Sequence, residues 1–197
     1  MLTFESNAAN VAEALGAKPT KIGKRVLEGL RDVGITLQNY LQKDLLSGQL
    51  LGVRTGQGRR SIFWRVEGDD TNGEMSVVVG ADLTVAKYMR IQNDGGTITA
   101  KGKLLTIPLP AALTGNGVAR FTAANLRENP TAYGYIGSFV RNGIIFGKLD
   151  GKEIVPLFVL RQSVTIQGVG YLGRAYTDKI DWVRDRLAAA AGQGANE

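Results

Sequence analysis

Ile22, Val26, Leu30, Val33, Leu37, Leu41 and Leu45 recur at steps of four and three along residues 20–46. On a helix of 3.6 residues per turn, that spacing keeps one apolar stripe on one face. Pro19 suits the first turn, where a missing N–H costs nothing, and Gly48 suits the C-terminal stop. Gly34 inside the helix costs about 1 kcal/mol relative to alanine. The period then changes to two. Ile62, Trp64 and Val66 alternate with Phe63 and Arg65, and Met75, Val77 and Val79 alternate after Asp69-Asp70-Thr71-Asn72-Gly73. Two alternating runs around an Asp/Asn/Gly turn predict an antiparallel pair.

Residues 86–93 fit a short helix or a strand equally well before Gly95-Gly96 breaks the pattern. Residues 97–109 predict a hairpin turning at Lys101-Gly102-Lys103, with Leu105 and Ile107 on one face and Pro108 and Pro110 ending it. Residues 111–137 are rich in Gly, Ala, Thr and Asn with weak periodicity, which predicts a long loop or arm holding a short helix at 119–128. Strands resume at 138–140, 144–149 and 154–166, with a turn at Asp150-Gly151. A final helix over 171–190 places Tyr176, Ile180, Val183 and Leu187 on one face. The predicted fold is α+β: a long N-terminal helix, an antiparallel curved sheet or small β-sandwich, and a C-terminal helix packed on the sheet. The predicted organisation is a flexible segment at 1–18, a single domain over 19–191 with the arm at about 111–137, and a flexible tail at 192–197.

At 197 residues, with 44% hydrophobic and 21% charged positions, the chain has ordinary globular composition and length for a proper core. Cysteine and histidine are absent. Thiol nucleophiles, imidazole bases and Cys/His zinc sites are thereby excluded. No apolar run reaches the length of a membrane-spanning helix, and residues 1–16 lack the basic-then-apolar order of a signal peptide, so a soluble intracellular product is expected. The net charge of +6 invites a nucleic-acid reading. Against it, the charges are scattered along the sequence, with no block of like sign.

Candidate chemistry is sparse. The loop at 52–61 sets Arg54, Arg59 and Arg60 among Gly52, Gly56 and Gly58, a composition suited to an anion. It follows a helix and leads into a strand, the reverse of a phosphate-binding loop, and no GxxxxGK[ST] occurs; a turn that starts a strand is the preferred reading. Glu67, Asp69, Asp70 and Glu74 bunch together, but Asp-Asp-Thr-Asn-Gly is hairpin-turn chemistry and no metal is assigned. Ser61, Ser138 and Ser163 have no histidine to activate them, so no catalytic residue and no cofactor is assigned. Trp64, Tyr88, Tyr133, Tyr135 and Tyr171 fit a core or an interface better than a base-stacking surface.

Three segments resemble, in order, the bacteriophage head–tail connection proteins, also called neck, tail-completion or virion-morphogenesis proteins. The first is the long helix leading into Val53-Arg54-Thr55-Gly56-Gln57-Gly58-Arg59-Arg60-Ser61-Ile62. The second is Tyr88-Met89-Arg90-Ile91-Gln92-Asn93-Asp94-Gly95-Gly96-Thr97-Ile98 with Lys103-Leu104-Leu105-Thr106-Ile107-Pro108-Leu109. The third is Val159-Leu160-Arg161-Gln162-Ser163-Val164-Thr165-Ile166 with Tyr171-Leu172-Gly173-Arg174-Ala175. The chain departs from the family's pattern at Gly170 and Gln167, where prolines are usual. The resemblance implies a non-catalytic virion subunit that forms a ring homo-oligomer around the DNA channel. Its implied partners are other neck, portal-adaptor or tail-tube proteins, and it would sit in the virion after assembly in the host cytoplasm, without a membrane. Expected interface residues are Arg54, Arg59 and Arg60 in the loop and Tyr133 and Tyr135 in the arm, since interface anchors favour Arg and Tyr. The competing reading is a nucleic-acid-binding module built on the basic glycine-rich loop.

Overall fold

All seven positions of the predicted stripe are buried, at 0 to 5% exposure. They lie on α1 (Pro19–Asn39) and on one π-helical turn, Tyr40–Leu45, that continues it. Three successive four-residue steps from Val33 to Leu45 would carry the stripe about 120° round an α-helix. The wider turn takes up that drift: Leu46 N–H bonds to the Leu41 carbonyl, five residues back, at 2.9 Å. The computed structural model describes residues 1–7, 19–68 and 74–196. The predicted turn at 69–73 and residues 8–18 of the predicted flexible segment lie outside them.

The predicted antiparallel pair forms as β2 (Ile62–Gly68) and β3 (Glu74–Ala81), in a register that sets Trp64 opposite Val79 and Val66 opposite Val77. One correction concerns the N-terminus. Residues 2–7, expected to be flexible, form β1 (Leu2–Asn7) along the other edge of β3, giving the sheet order β1-β3-β2. A central strand has a neighbour on each edge, and Val78, set between Thr3 and Arg65, is as buried as Val77 and Val79. Gly34 earns its position in the helix: a Cβ there would lie 2.5 Å from the Trp64 ring, so glycine lets the indole lie against α1.

The chain divides into two compact units, Met1–Asp94 with Gly168–Glu197, and Gly95–Gln167, rather than the expected single domain over 19–191. The last helix of the first unit, α5 (Tyr171–Asn196), packs along α1. It runs through the segment expected to be a flexible tail, because Gly194 is buried where a Cβ would meet the Ile22 backbone at 2.7 Å. Val183 is buried and Ile180 and Leu187 pack against the same core as expected; Tyr176 instead faces solvent, and Leu172 and Ala175 are buried in its place. Two short helices complete this unit, α2 (Gln57–Arg60) and α3 (Met89–Asp94), the latter resolving the ambiguous segment as helix.

The second unit contains β4 (Gly96–Thr99), β5 (Leu105–Pro108), β6 (Gly137–Arg141), β7 (Ile144–Lys148), β8 (Ile154–Arg161) and β9 (Ser163–Ile166). The predicted hairpin at 97–109 does not form. β4 pairs with β9, and β5 pairs with β8 in a sheet ordered β5-β8-β7-β6. Only Gln162 separates β8 from β9, so residues 96–108 run antiparallel along that whole ribbon, and Lys101-Gly102-Lys103 loops out opposite Gln162 instead of reversing the chain.

A further correction concerns the arm. Residues 111–137 supply Ala112, Phe121, Leu126 and Tyr135 to a core completed by Ile145, Leu157 and Phe158. Thr122 caps the six-residue α4 (Ala123–Glu128) by accepting the Asn125 N–H at 3.1 Å, and Asn129 caps the following 3-10 turn, Pro130–Tyr133. A β-bulge makes Leu157 the extra residue opposite Ile145 and Phe146, which turns both Leu157 and Phe158 into this core.

Candidate interface site

The loop at 52–61 is held at several points. Thr55 Oγ1 accepts the Gln57 N–H at 3.3 Å, and Gly56 takes the left-handed conformation, φ +70°. Gln57 Nε2 donates to the Val85 carbonyl at 2.6 Å. Ser61 is buried; its hydroxyl donates to the Gly58 carbonyl at 2.6 Å and its own carbonyl accepts the Asp82 N–H at 2.7 Å. Gly58 packs so closely that a Cβ would meet Met89 Sδ at 2.8 Å and the Tyr88 hydroxyl at 3.1 Å.

On that frame Arg54 and Arg60 are exposed and Arg59 is half-buried. Nη1 of Arg60 and Nη2 of Arg59 approach to 3.2 and 3.7 Å of the point a Gly56 Cβ would occupy, so the two guanidiniums gather over one glycine. No carboxylate pairs with any of the three arginines among the described residues. Planar and charged, with Arg60 exposed, such a pair is suited to a carboxylate or phosphate on another molecule.

The two tyrosines expected as interface residues in the arm belong to the second unit's core instead. Tyr135 is buried and edges onto Phe121, and Tyr133 is half-buried with its ring 4.6 Å from the Phe121 ring. Aromatic rings in a small core bury more area than any other side chain there, and that burial is what fixes them. Tyr135 is therefore corrected from interface anchor to core residue.

A cluster around Asn93 escaped the reading of the sequence. Asn93 Oδ1 accepts the Leu172 N–H at 3.0 Å and its carbonyl accepts the Gly170 N–H at 3.0 Å, while the Gln92 carbonyl accepts the Val169 N–H at 2.8 Å. Buried Tyr171 donates its hydroxyl to the Met89 carbonyl at 3.3 Å. Burial pushes that phenol up to about 12, and the Asp94 charge adds to the rise. Gly170 has φ +58° and uses its N–H. Proline supplies neither, so it does not fit this position. Polar residues flanking a Gly-Gly pair were the available signal, but their partners lie about 80 positions away in sequence.

The acidic run at 67–74 falls partly outside the described residues. Among the described residues no helix is long and apolar enough to cross a membrane. No protein-family model matches the chain, and neither the curated proteins nor the solved structures include a match to it.

Proposed function

We propose that the chain is a structural subunit of a bacteriophage head–tail joint, a neck or tail-completion protein that assembles as a ring. One observation supports this above the others: the segments that carry the resemblance meet in space. Gly58 of the first packs on Tyr88 and Met89 of the second, and Met89 and Asn93 of the second bond to Tyr171 and Leu172 of the third. The strands of the second, β4 and β5, pair with β9 and β8 of the third. The shared residues thus hold a frame together, as expected of a subunit whose task is to keep its shape under load.

In a ring, each subunit offers one surface to the neighbour ahead and a different one to the neighbour behind. Exposed Arg54 and Arg60 of the 52–61 loop supply directional contacts to a neighbouring subunit or ring. Among the described residues no strand pairs with the outer edge of β2 or of β6, to which a segment of a neighbour can add. The test is electron microscopy of lysates from the source phage with the gene deleted, beside a complemented control. Filled heads and finished tails that fail to join are expected. Intact infectious particles would overturn the reading.

A further inference from the structure

The chain's positive charge is not evenly shared. Residues 95–167 hold eight Lys and Arg against three Asp and Glu, so the second unit carries +5 of the total +6. The sheet register sorts that charge by face. Ile145, Gly147, Val155 and Phe158 point into the core. The opposite face therefore carries Phe139 and Arg141 on β6, Ile144, Phe146 and Lys148 on β7, Val159 and Arg161 on β8, and Leu105 and Ile107 on β5. No aspartate or glutamate stands on it. The unit's three carboxylates, Glu128, Asp150 and Glu153, lie on α4 and in the turn between β7 and β8. Lys101 and Lys103 loop out at its edge, next to Arg161.

The rings of Phe139 and Phe146 lie stacked at 5.3 Å with 15° between their planes, both partly open to solvent, and Lys148 Nζ stands 5.9 Å from the Phe139 ring centroid. Lys101, Lys103, Arg141 and Arg161 are exposed and none has a carboxylate partner among the described residues. Two strands across and two residues along, Arg141 and Arg161 are separated by about 12 Å between Cα atoms. Cations spread at that spacing around exposed aromatic rings match a flexible polyphosphate whose bases need a flat apolar surface.

We propose that this open sheet face binds single-stranded nucleic acid, with Lys101, Lys103, Arg141, Lys148 and Arg161 neutralising phosphates and Phe139 and Phe146 stacking on bases. The site is distinct from the 52–61 loop and stands whether or not the chain belongs to a head–tail joint. Duplex fits less well, because its bases are already stacked and leave the two phenylalanines without a partner.

The experiment is fluorescence anisotropy of labelled oligothymidine, and of a duplex of equal length, with the full chain across a salt series. Binding of the single strand is expected at about 50 mM salt, with a log–log slope near −3.5 if all five cations each neutralise one phosphate. Arg141→Gln with Arg161→Gln should make the slope shallower by about 1.4 units, and Arg141→Lys with Arg161→Lys should restore it. Phe139→Ala should weaken the single strand about 10-fold and leave duplex binding unmoved. Lys24→Gln with Arg31→Gln, both exposed on the first unit, should leave binding and its salt slope unchanged, and all variants should keep a cooperative thermal transition. The proposal is overturned by no binding at low salt, by a slope indifferent to the Arg141 and Arg161 charges, or by duplex preferred over single strand. A shift in oligomeric state of the Arg141/Arg161 variant without any oligonucleotide binding would also overturn it, identifying the face as a contact with a second copy.

Discussion

The two units build their cores by different means. The first uses long periodic elements: a helix with a seven-residue stripe lies on a three-stranded sheet, and α5 lies along that helix. Any window of a dozen residues in α1 announces its buried face. The second has no helix longer than six residues, and it gathers its core from Ala112, Phe121, Leu126 and Tyr135, spread through a segment that looks like loop. Periodicity needs length to be visible, and a core made of single anchors between turns has none. Charge divides along the same line, with nearly all of the excess on the second unit.

The contrast is broken most severely by deleting residues 116–134. Removing Phe121 and Leu126 takes the centre out of the second unit's core, so loss of its cooperative thermal transition is expected. A shortened chain that melts like wild type would show instead that residues 116–134 lie outside the core. Next come two glycines that play the same part in each unit. Gly34→Ala drives a methyl into the Trp64 ring, and Gly147→Ala drives one into Tyr135 and Leu157. Each should cost about 1–3 kcal/mol in chemical denaturation, by overpacking.

A pH series separates the units in another way. Tyr171, in the first, has its phenol raised to about 12 in the fold, while an unfolded tyrosine ionises near 10. Stability is therefore full below pH 10 and is lost as pH rises from 10 towards 12, by an amount on the order of 2 kcal/mol. Tyr171→Phe should flatten most of that alkaline limb, leaving the part due to Tyr40, whose hydroxyl is raised by its hydrogen bond to Asp178. The smallest effect belongs to the second unit's cap: Thr122→Ala should cost about 1 kcal/mol in the same denaturation assay.

What the sequence made legible follows from how local each signal is. The α1 stripe and the β2–β3 alternation depend on neighbours within one element, and both formed as read. β1 was missed because its partner strand lies some 70 positions on. The hairpin at 97–109 was misread because Lys101-Gly102-Lys103 has the composition of a turn, whereas β8 and β9, about 60 positions away, compete for both arms and win. Of the five proposed interface residues, the arginines carry a charge that resists burial, and Arg54 and Arg60 are exposed accordingly. Tyr133 and Tyr135 carry no such constraint, and the small core took them. The basic sheet face was invisible because its cations lie between residues 101 and 161 and only the register brings them onto one side.

The head–tail reading is tested most directly by adding purified protein to a lysate of the gene-deleted phage, in which heads and tails have been completed separately. If the chain joins the two, infectious titre should rise with added protein, and Arg54→Glu with Arg60→Glu should reduce the rise while leaving the fold intact. A titre that stays flat with folded wild-type protein, in a lysate that responds to other missing joint components, would contradict the account.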